Sequence, residues 1–246
     1  RHGWQMAYVL MTYFGQQGRR EAQKLLERNA QDGDRLLGAF NIPMPHWLDF
    51  FCYTMFVDRD GKFQLGMLST SAFKPLAASM GPMLREESFH LGTGFNGLRR
   101  VIKAGVIPLD LLQRYFNKWV STAHDLFGVD ASSSAHWAYV WGIKGRWDER
   151  KKLDSGMEVN KEILNEEARM HYHDEIVGEV EKLCKYLPED SLKLYVPHEN
   201  FNRAIGVAKR QKFSVEGTPF EGTDEEWDSY INSHLPTDED EEALKE

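Results

Sequence analysis

The run Met83-Leu84-Arg85-Glu86-Glu87-Ser88-Phe89-His90 carries a Glu-x-x-His pair, Glu87 and His90, in a strongly helical context. On a helix, positions three apart lie on one face. A carboxylate and an imidazole facing inward together are half of the ligand set with which helical bundles hold two iron ions. Carboxylates bridge and neutralise two cations, and one imidazole per iron leaves positions open to dioxygen. Such a pair also occurs often by chance. It gains weight from two further candidate ligands, His2 and Asp58, which precede it on separate apolar helical stretches.

Each residue has a plainer reading beside this one. Asp58-Arg59-Asp60 could mark a polar helix face or an ion pair with Arg59. His90, among Leu84, Phe89 and Leu91, could be a core histidine hydrogen-bonded to Glu86 or Glu87. His2 could be a surface residue, although its spacing puts it on the side of Met6 and Val9, the core side of its helix. A competing constellation, Glu167, His171, His173 and Asp174, has charged or polar neighbours at Asn165, Glu166, Arg169 and Glu175. It reads as a solvated face rather than a dry metal pocket. A metal site for oxygen chemistry also wants an apolar wall. The aromatics and methionines near Glu87 and Asp58 would supply one, and ordinary core packing explains them equally well.

The elements that must position these residues follow from apolar periodicity. Residues 1–14 place His2, Met6, Val9 and Tyr13 on one face, and Gly15-Gln16-Gln17-Gly18 breaks or kinks the helix. A polar-faced helix spans Arg19 to Asn29, and Ile42-Pro43-Met44-Pro45 stops the chain and starts another helix. His46 to about Leu68 is expected as a helix with Trp47, Phe51, Thr54 and Asp58 on one side. Phe73 to Lys103 carries Met80, Met83, Glu87 and His90 on one face. Ile107-Pro108 opens a helix over about 108–127, closed by Gly128. Ser132-Ser133-Ser134 caps a short aromatic helix, and residues 145–156 read as a polar loop. A charged helix covers about 158–186, Tyr195-Val196-Pro197 is extended, and Asn200 to Ala204 reads as a small helix. Residues 209–246 read as an irregular tail with one short helix near 224–232. No alternating strand pattern or repeat is present, so the expected class is all-α, a bundle of helices joined by short links.

The chain has 246 residues, 41% of them hydrophobic and 12% aromatic, enough to bury a sizeable core. The net charge of −8 is carried by its end. Residues 216–246 hold 12 Asp or Glu and one Lys, so the preceding 215 residues are mildly positive. That suits an anionic small molecule, while the lack of a basic stripe with interleaved aromatics speaks against nucleic acid. No apolar run is long enough for a membrane span. Only two cysteines, Cys52 and Cys184, are present, which argues for a reducing, cytoplasmic setting rather than a disulfide framework. Two units are expected: a bundle over 1–215 and an acidic C-terminal tail over 216–246.

Several long stretches resemble one family, the oxygenase components of benzoyl-CoA 2,3-epoxidases. They are Trp47-Leu48-Asp49-Phe50-Phe51 through Phe56-Val57-Asp58-Arg59-Asp60-Gly61-Lys62-Phe63-Gln64-Leu65, Ser71-Ala72-Phe73-Lys74-Pro75-Leu76-Ala77, and Met83-Leu84-Arg85-Glu86-Glu87. Tyr195-Val196-Pro197 followed by Phe201-Asn202-Arg203-Ala204-Ile205-Gly206-Val207 completes the likeness, which runs from Arg1 to about Val215. The resemblance implies a ferritin-like di-iron monooxygenase that epoxidises the ring of benzoyl-CoA, or a related aryl-CoA, with dioxygen. Its electrons would come from NADPH through a separate reductase bearing FAD and an iron–sulfur centre. By matching motifs, the metal ligands would be His2, Asp58, Glu87 and His90; no catalytic residue beyond them is assigned.

Two departures qualify the likeness. The two upstream Glu ligands of the six-ligand family set fall before Arg1, so the expectation is a fragment incomplete at its N-terminus and inactive by itself. Phe89 stands where a second His commonly precedes the ligand His, which would make the pocket more apolar and open it to another aryl- or acyl-CoA thioester. A thioester needs cations for its phosphates, and Arg99, Arg100 and Lys103, or Arg203, Lys209 and Arg210, could serve. Two other classes compete with the enzyme: a non-catalytic ferritin-like binding or structural protein, and a helical interaction module whose acidic tail binds a partner.

Overall fold

The computed structural model describes residues 2–27, 37–147, 152, 154–158, 160, 162–206 and 209–244. Among them the architecture is all-α, a ferritin-like helical bundle. The single piece of β pairing among these residues is an isolated bridge between Phe213 and Pro219. No helix among the described residues is long and apolar enough to cross a membrane.

Helix α1 (His2–Tyr13) turns into α2 (Gly15–Glu27), the break falling where the glycines predict it. The expected end of α2 at Asn29 lies outside the described residues. After a 3-10 turn at Gly38–Asn41, a near-continuous rod is formed by α3 (Trp47–Cys52), a π-helical turn (Tyr53–Val57) and α4 (Asp58–Leu68). The long α5 (Lys74–Ala104) and α6 (Leu109–Leu126) pack on this rod. The aromatic α7 (Ser133–Val140) follows, its first turn capped by the Ser132 hydroxyl, which accepts from Ala135 N–H. Helix α8 (Leu164–Cys184) completes the core, beginning later than the expected 158.

The π turn departs most from the expected pattern. Thr54, Met55, Phe56 and Val57 are all buried in succession, whereas a surface helix would turn at least one to solvent. They can be buried together because the rod is enclosed by α5, α6 and α8. Phe56 stacks edge-on against Phe116 at 5.0 Å, and Tyr53 against Trp119 at 5.4 Å. The wider turn places the Asp58 N–H on the Tyr53 carbonyl, five residues back. Side chains serve other carbonyls nearby: the Tyr172 hydroxyl donates to Phe56 O at 3.1 Å, Arg59 Nε to Met55 O at 3.2 Å, and the Thr54 hydroxyl to Phe50 O. The extra residue breaks the face expected to run through Trp47, Phe51, Thr54 and Asp58. Trp47 is largely exposed while Thr54 is buried.

Helix α5 reaches this turn through Gly94. A Cβ there would lie 2.5 Å from the Met55 nitrogen and 2.8 Å from its Cα, so backbone meets backbone. Lower on the rod, Asp49 is fully buried at the start of α3. It accepts from Lys118 Nζ and Trp119 Nε1, both at 2.8 Å, with His46 Nδ1 3.0 Å away. These donors offset the desolvation of its carboxylate.

Two expectations for the C-terminal part are corrected. Asn200 to Ala204 is a series of turns rather than a helix, because Asn202 sits at φ 47°, a left-handed conformation that a helix cannot continue through. The acidic end carries the short helix expected near 224–232, α9 (Asp224–His234), and also a second, unexpected one, α10 (Asp238–Ala243); each starts with a capping box. Both dock on α6, where Asn117 Nδ2 donates to His234 O and Arg114 pairs with Asp240 at 2.7 Å.

Replacing Gly94 by alanine is expected to cost about 1–3 kcal/mol, the usual range for overpacking. Its Cβ cannot move away from another segment's main chain. Urea denaturation monitored by circular dichroism measures this; wild-type stability would show that α5 and the π turn are not in tight contact.

Candidate metal centre

Three helices bring the sequence candidates together. Glu87 lies at the middle of α5, its side chain buried beneath α4, with Gly61 the neighbour whose Cβ would come within 3.8 Å of its carboxylate. His90, one turn on, places Nδ1 3.3 Å from Glu87 Oε2. Asp58, the first residue after the π turn, places Oδ2 3.7 Å from the same nitrogen. One ligand atom each from Asp58, Glu87 and His90 fall within 4.8 Å of one another.

His2 joins them from α1. This helix runs antiparallel to the first half of α5: Gln5 donates to Ser79 O, and Tyr13 packs edge-on against Phe73 at 5.4 Å. At the other end His2 Nε2 is 3.0 Å from Glu86 Oε2, and Nδ1 is 3.5 Å from Glu87 Oε1. The Glu86 contact is not legible from residue order, since nothing in the sequence pairs α1 with α5.

The electrostatics favour a cation. Burial and the neighbouring Glu87 push the Asp58 carboxyl from 3.8 up to about 6, against a smaller opposing effect of His90. Two carboxylates held together in a partly desolvated site repel each other, and a divalent cation would remove the cost. Burial, with Asp58 and Glu87 adding to it, pushes the Tyr53 phenol up to about 12, so it stays protonated at neutral pH beside the acids. Asp58 does not pair with its neighbour Arg59, which together with Lys62 binds Glu175 on α8.

The dry enclosure expected from sequence is found on one side only. Met80 and Met83 bury the α5 face leading to Glu87, but the His90 side chain is 49% exposed. Phe89 does not line a pocket; it is 77% exposed, because it precedes His90 by one residue and points off the face that Glu87 and His90 share. Beside Glu87 opens a cleft of about 810 Å³, also lined by Leu84, Leu91, Phe95 and Trp147.

The competing constellation does not gather at one point, although His171 Nε2 lies 3.4 Å from Glu167 Oε1. Glu167 is held by Arg146 at 2.8 Å, and His173 Nδ1 lies 3.3 Å from His124 Nε2, away from the exposed Asp174. Of the basic groups considered for phosphate, Arg203 is buried and committed to Asp125, while Arg99 and Lys103 lie over the Tyr186 ring.

The raised Asp58 carboxyl fixes the sign of a pH effect. Between 3.8 and about 6 the folded chain holds a proton that the unfolded chain has released, so stability is highest below this window and falls as pH rises through it. Asp58→Asn is therefore expected to gain about 1–2 kcal/mol over the parent at pH 7.5, after solvent screening, and nothing near pH 3.5. Thermal melts of the metal-free proteins at both pH values test this; an equal change at both would mean that the effect is not electrostatic.

Comparison with known proteins adds the context. Residues 3–203 match the family described as phenylacetic acid catabolic protein. The chain is 35% identical to the benzoyl-CoA oxygenase component B of Aromatoleum evansii, over 98% of this chain and 59% of that protein. It is 25% identical to one of the subunits of the 1,2-phenylacetyl-CoA epoxidase of Escherichia coli (strain K12), over 62% of this chain and 45% of that protein. The chain thus spans less than two thirds of the length of either relative.

Proposed function

We propose that this chain, which belongs to the phenylacetic acid catabolic protein family, forms the iron-binding part of an oxygenase component that epoxidises the ring of an aryl-CoA thioester. The carrying observation is the convergence of Asp58, Glu87 and His90 on one point, with His2 against Glu87. The likeness to an oxygenase component and to part of an epoxidase supports the same reaction class.

In this reading His2, Asp58, Glu87 and His90 contribute to a centre of two irons. Bound iron would supply the activation of dioxygen for transfer of one oxygen atom to the ring. The chain's own groups set the conditions. Glu87, buried and approached from both sides by imidazoles, would serve as a ligand to the bound metal. Asp58 loses its proton near pH 6 and is therefore available as a ligand at neutral pH. The Tyr53 phenol, held protonated, adds no charge to the site. The cleft beside Glu87, with Leu84, Leu91, Phe95 and Trp147 in its lining, would seat an uncharged ring next to the bound metals. Electrons would arrive from NADPH through a separate reductase carrying FAD and an iron–sulfur centre, and benzoyl-CoA or a close aryl-CoA would be the substrate.

Anaerobic Fe(II) loading of the natural full-length protein, followed by iron analysis, is the direct test. About two irons per chain is expected, with dioxygen- and reductant-dependent conversion of benzoyl-CoA. A folded protein that retains no iron would sink the reading in favour of a non-catalytic bundle. Asp58→Ala, Glu87→Ala and His90→Ala should each lose most bound iron while keeping the helical circular dichroism. Unchanged iron in all three would remove these residues from the ligand set.

A further inference from the structure

The cleft beside Glu87 has a wall that arrives from outside the four-helix core. Trp147 belongs to the segment after α7, and its ring lies over Phe63 with centroids 4.5 Å apart. It comes this close to α4 because residue 66 is glycine: a Cβ at Gly66 would fall 2.2 Å from Trp147 Cζ3 and 2.6 Å from Cε3. The segment is pinned on the N-terminal side of the tryptophan. Gly142 O accepts from Ala72 N–H at 2.7 Å, and Gly145 N–H donates to Met67 O at 3.1 Å. Lys144 Nζ bonds Gln64 at 2.8 Å and Asn165 at 2.7 Å, and Arg146 pairs with Glu167 at 2.8 Å. Trp147 is thus a fixed surface, seated by contacts to α4, the α4–α5 connection and α8.

The polar groups lining the same cleft are committed elsewhere. Arg59 and Lys62 both bind Glu175, and Glu179 accepts from Lys182 Nζ at 2.6 Å. The Ser69, Thr70 and Ser88 hydroxyls donate to the carbonyls of Gly66, Met67 and Leu84. With its cations neutralised in place, this cleft is poorly suited to a phosphate. Leu84, Leu91, Phe95 and the flat face of Trp147 leave it suited to an uncharged planar group, selected by shape.

We infer that Trp147, seated on Gly66, is the specificity-determining wall that fixes the size of the aromatic acyl group lying beside Glu87. The inference rests on the aryl-CoA reading above and names the residue that limits it. A pocket bounded by a rigid indole discriminates between one ring and two; a pocket whose wall is cut back to a methyl does not.

The test is equilibrium binding to the iron-free protein by titration calorimetry, so that no step of oxygen chemistry enters. The probes are benzoyl-CoA, 2-naphthoyl-CoA and CoA itself. The parent is expected to bind benzoyl-CoA at least tenfold more tightly than 2-naphthoyl-CoA. Trp147→Ala should weaken benzoyl-CoA about tenfold, bring 2-naphthoyl-CoA to equal or better affinity, and leave CoA unchanged. Trp147→Phe should fall between, restoring part of the preference. Gly66→Ala, which pushes the indole out while keeping it in the sequence, should also erode the ratio; thermal melts confirm that each variant is folded. An unchanged ratio in folded Trp147→Ala, or an equal loss for all three probes, would overturn the assignment while leaving the aryl-CoA reading standing. A parent protein that binds benzoyl-CoA no better than CoA would overturn the aryl-CoA reading and this inference with it.

Discussion

The backbone contact between Gly94 and Met55 is the constraint on which the site's geometry depends. It lets α5 lie directly against the π turn, closer than two helices separated by side chains can come. With that separation fixed, Asp58 emerges from the turn opposite the Glu87 carboxylate rather than beside it on solvent. A π turn is a less favourable hydrogen-bonding arrangement than an α turn, and such turns cluster at functional positions. Here the Tyr172 hydroxyl, the Arg59 guanidinium and the Thr54 hydroxyl serve carbonyls in and around it. Part of α8 and the first turn of α4 are thereby recruited to hold one irregular turn in place.

Charge is distributed in two opposite ways around this point. At the candidate metal centre, acids are brought together with Arg59 turned away from them, and the cost shows in the raised Asp58 carboxyl. A few ångströms along the cleft the reverse holds, with Arg59 and Lys62 closed onto Glu175. One region gathers carboxylates and imidazoles without a guanidinium or ammonium among them, while the adjacent one has its cations cancelled by Glu175. Under the proposed function, that division would set the metal ligands apart from the place of the uncharged ring.

Much of this is legible in residue order. Apolar spacing gives α1, α5 and α6, the serine triplet gives the start of α7, and Glu87 with His90 and Asp58 points to one cluster. The π turn is not legible, because Thr54-Met55-Phe56-Val57 is an apolar run that fits a buried helix or strand equally well. Nor is the orientation of Phe89, since neighbouring positions on α5 differ by about 100° in direction. The Trp147 wall cannot be found from its own surroundings, which read as a polar loop; the signal lies in Gly66, far upstream. The acidic end misleads for a different reason. Its composition suggests a solvated tail, but the two capping boxes and a partner at Arg114 are local features that outweigh composition.

The π turn also bears on how this stretch of sequence can change over evolutionary time. Substitutions within residues 53–57 exchange one buried side chain for another and leave the frame of the helix intact. If the same residues relaxed into a regular α-helix, with every main-chain bond in its preferred place, everything beyond the turn would rotate by about 100°. Asp58 would then face away from Glu87. The segment is therefore open to drift in composition only so far as the wider turn is kept, and the same sequence made most regular in its backbone would be the one least able to keep the cluster together.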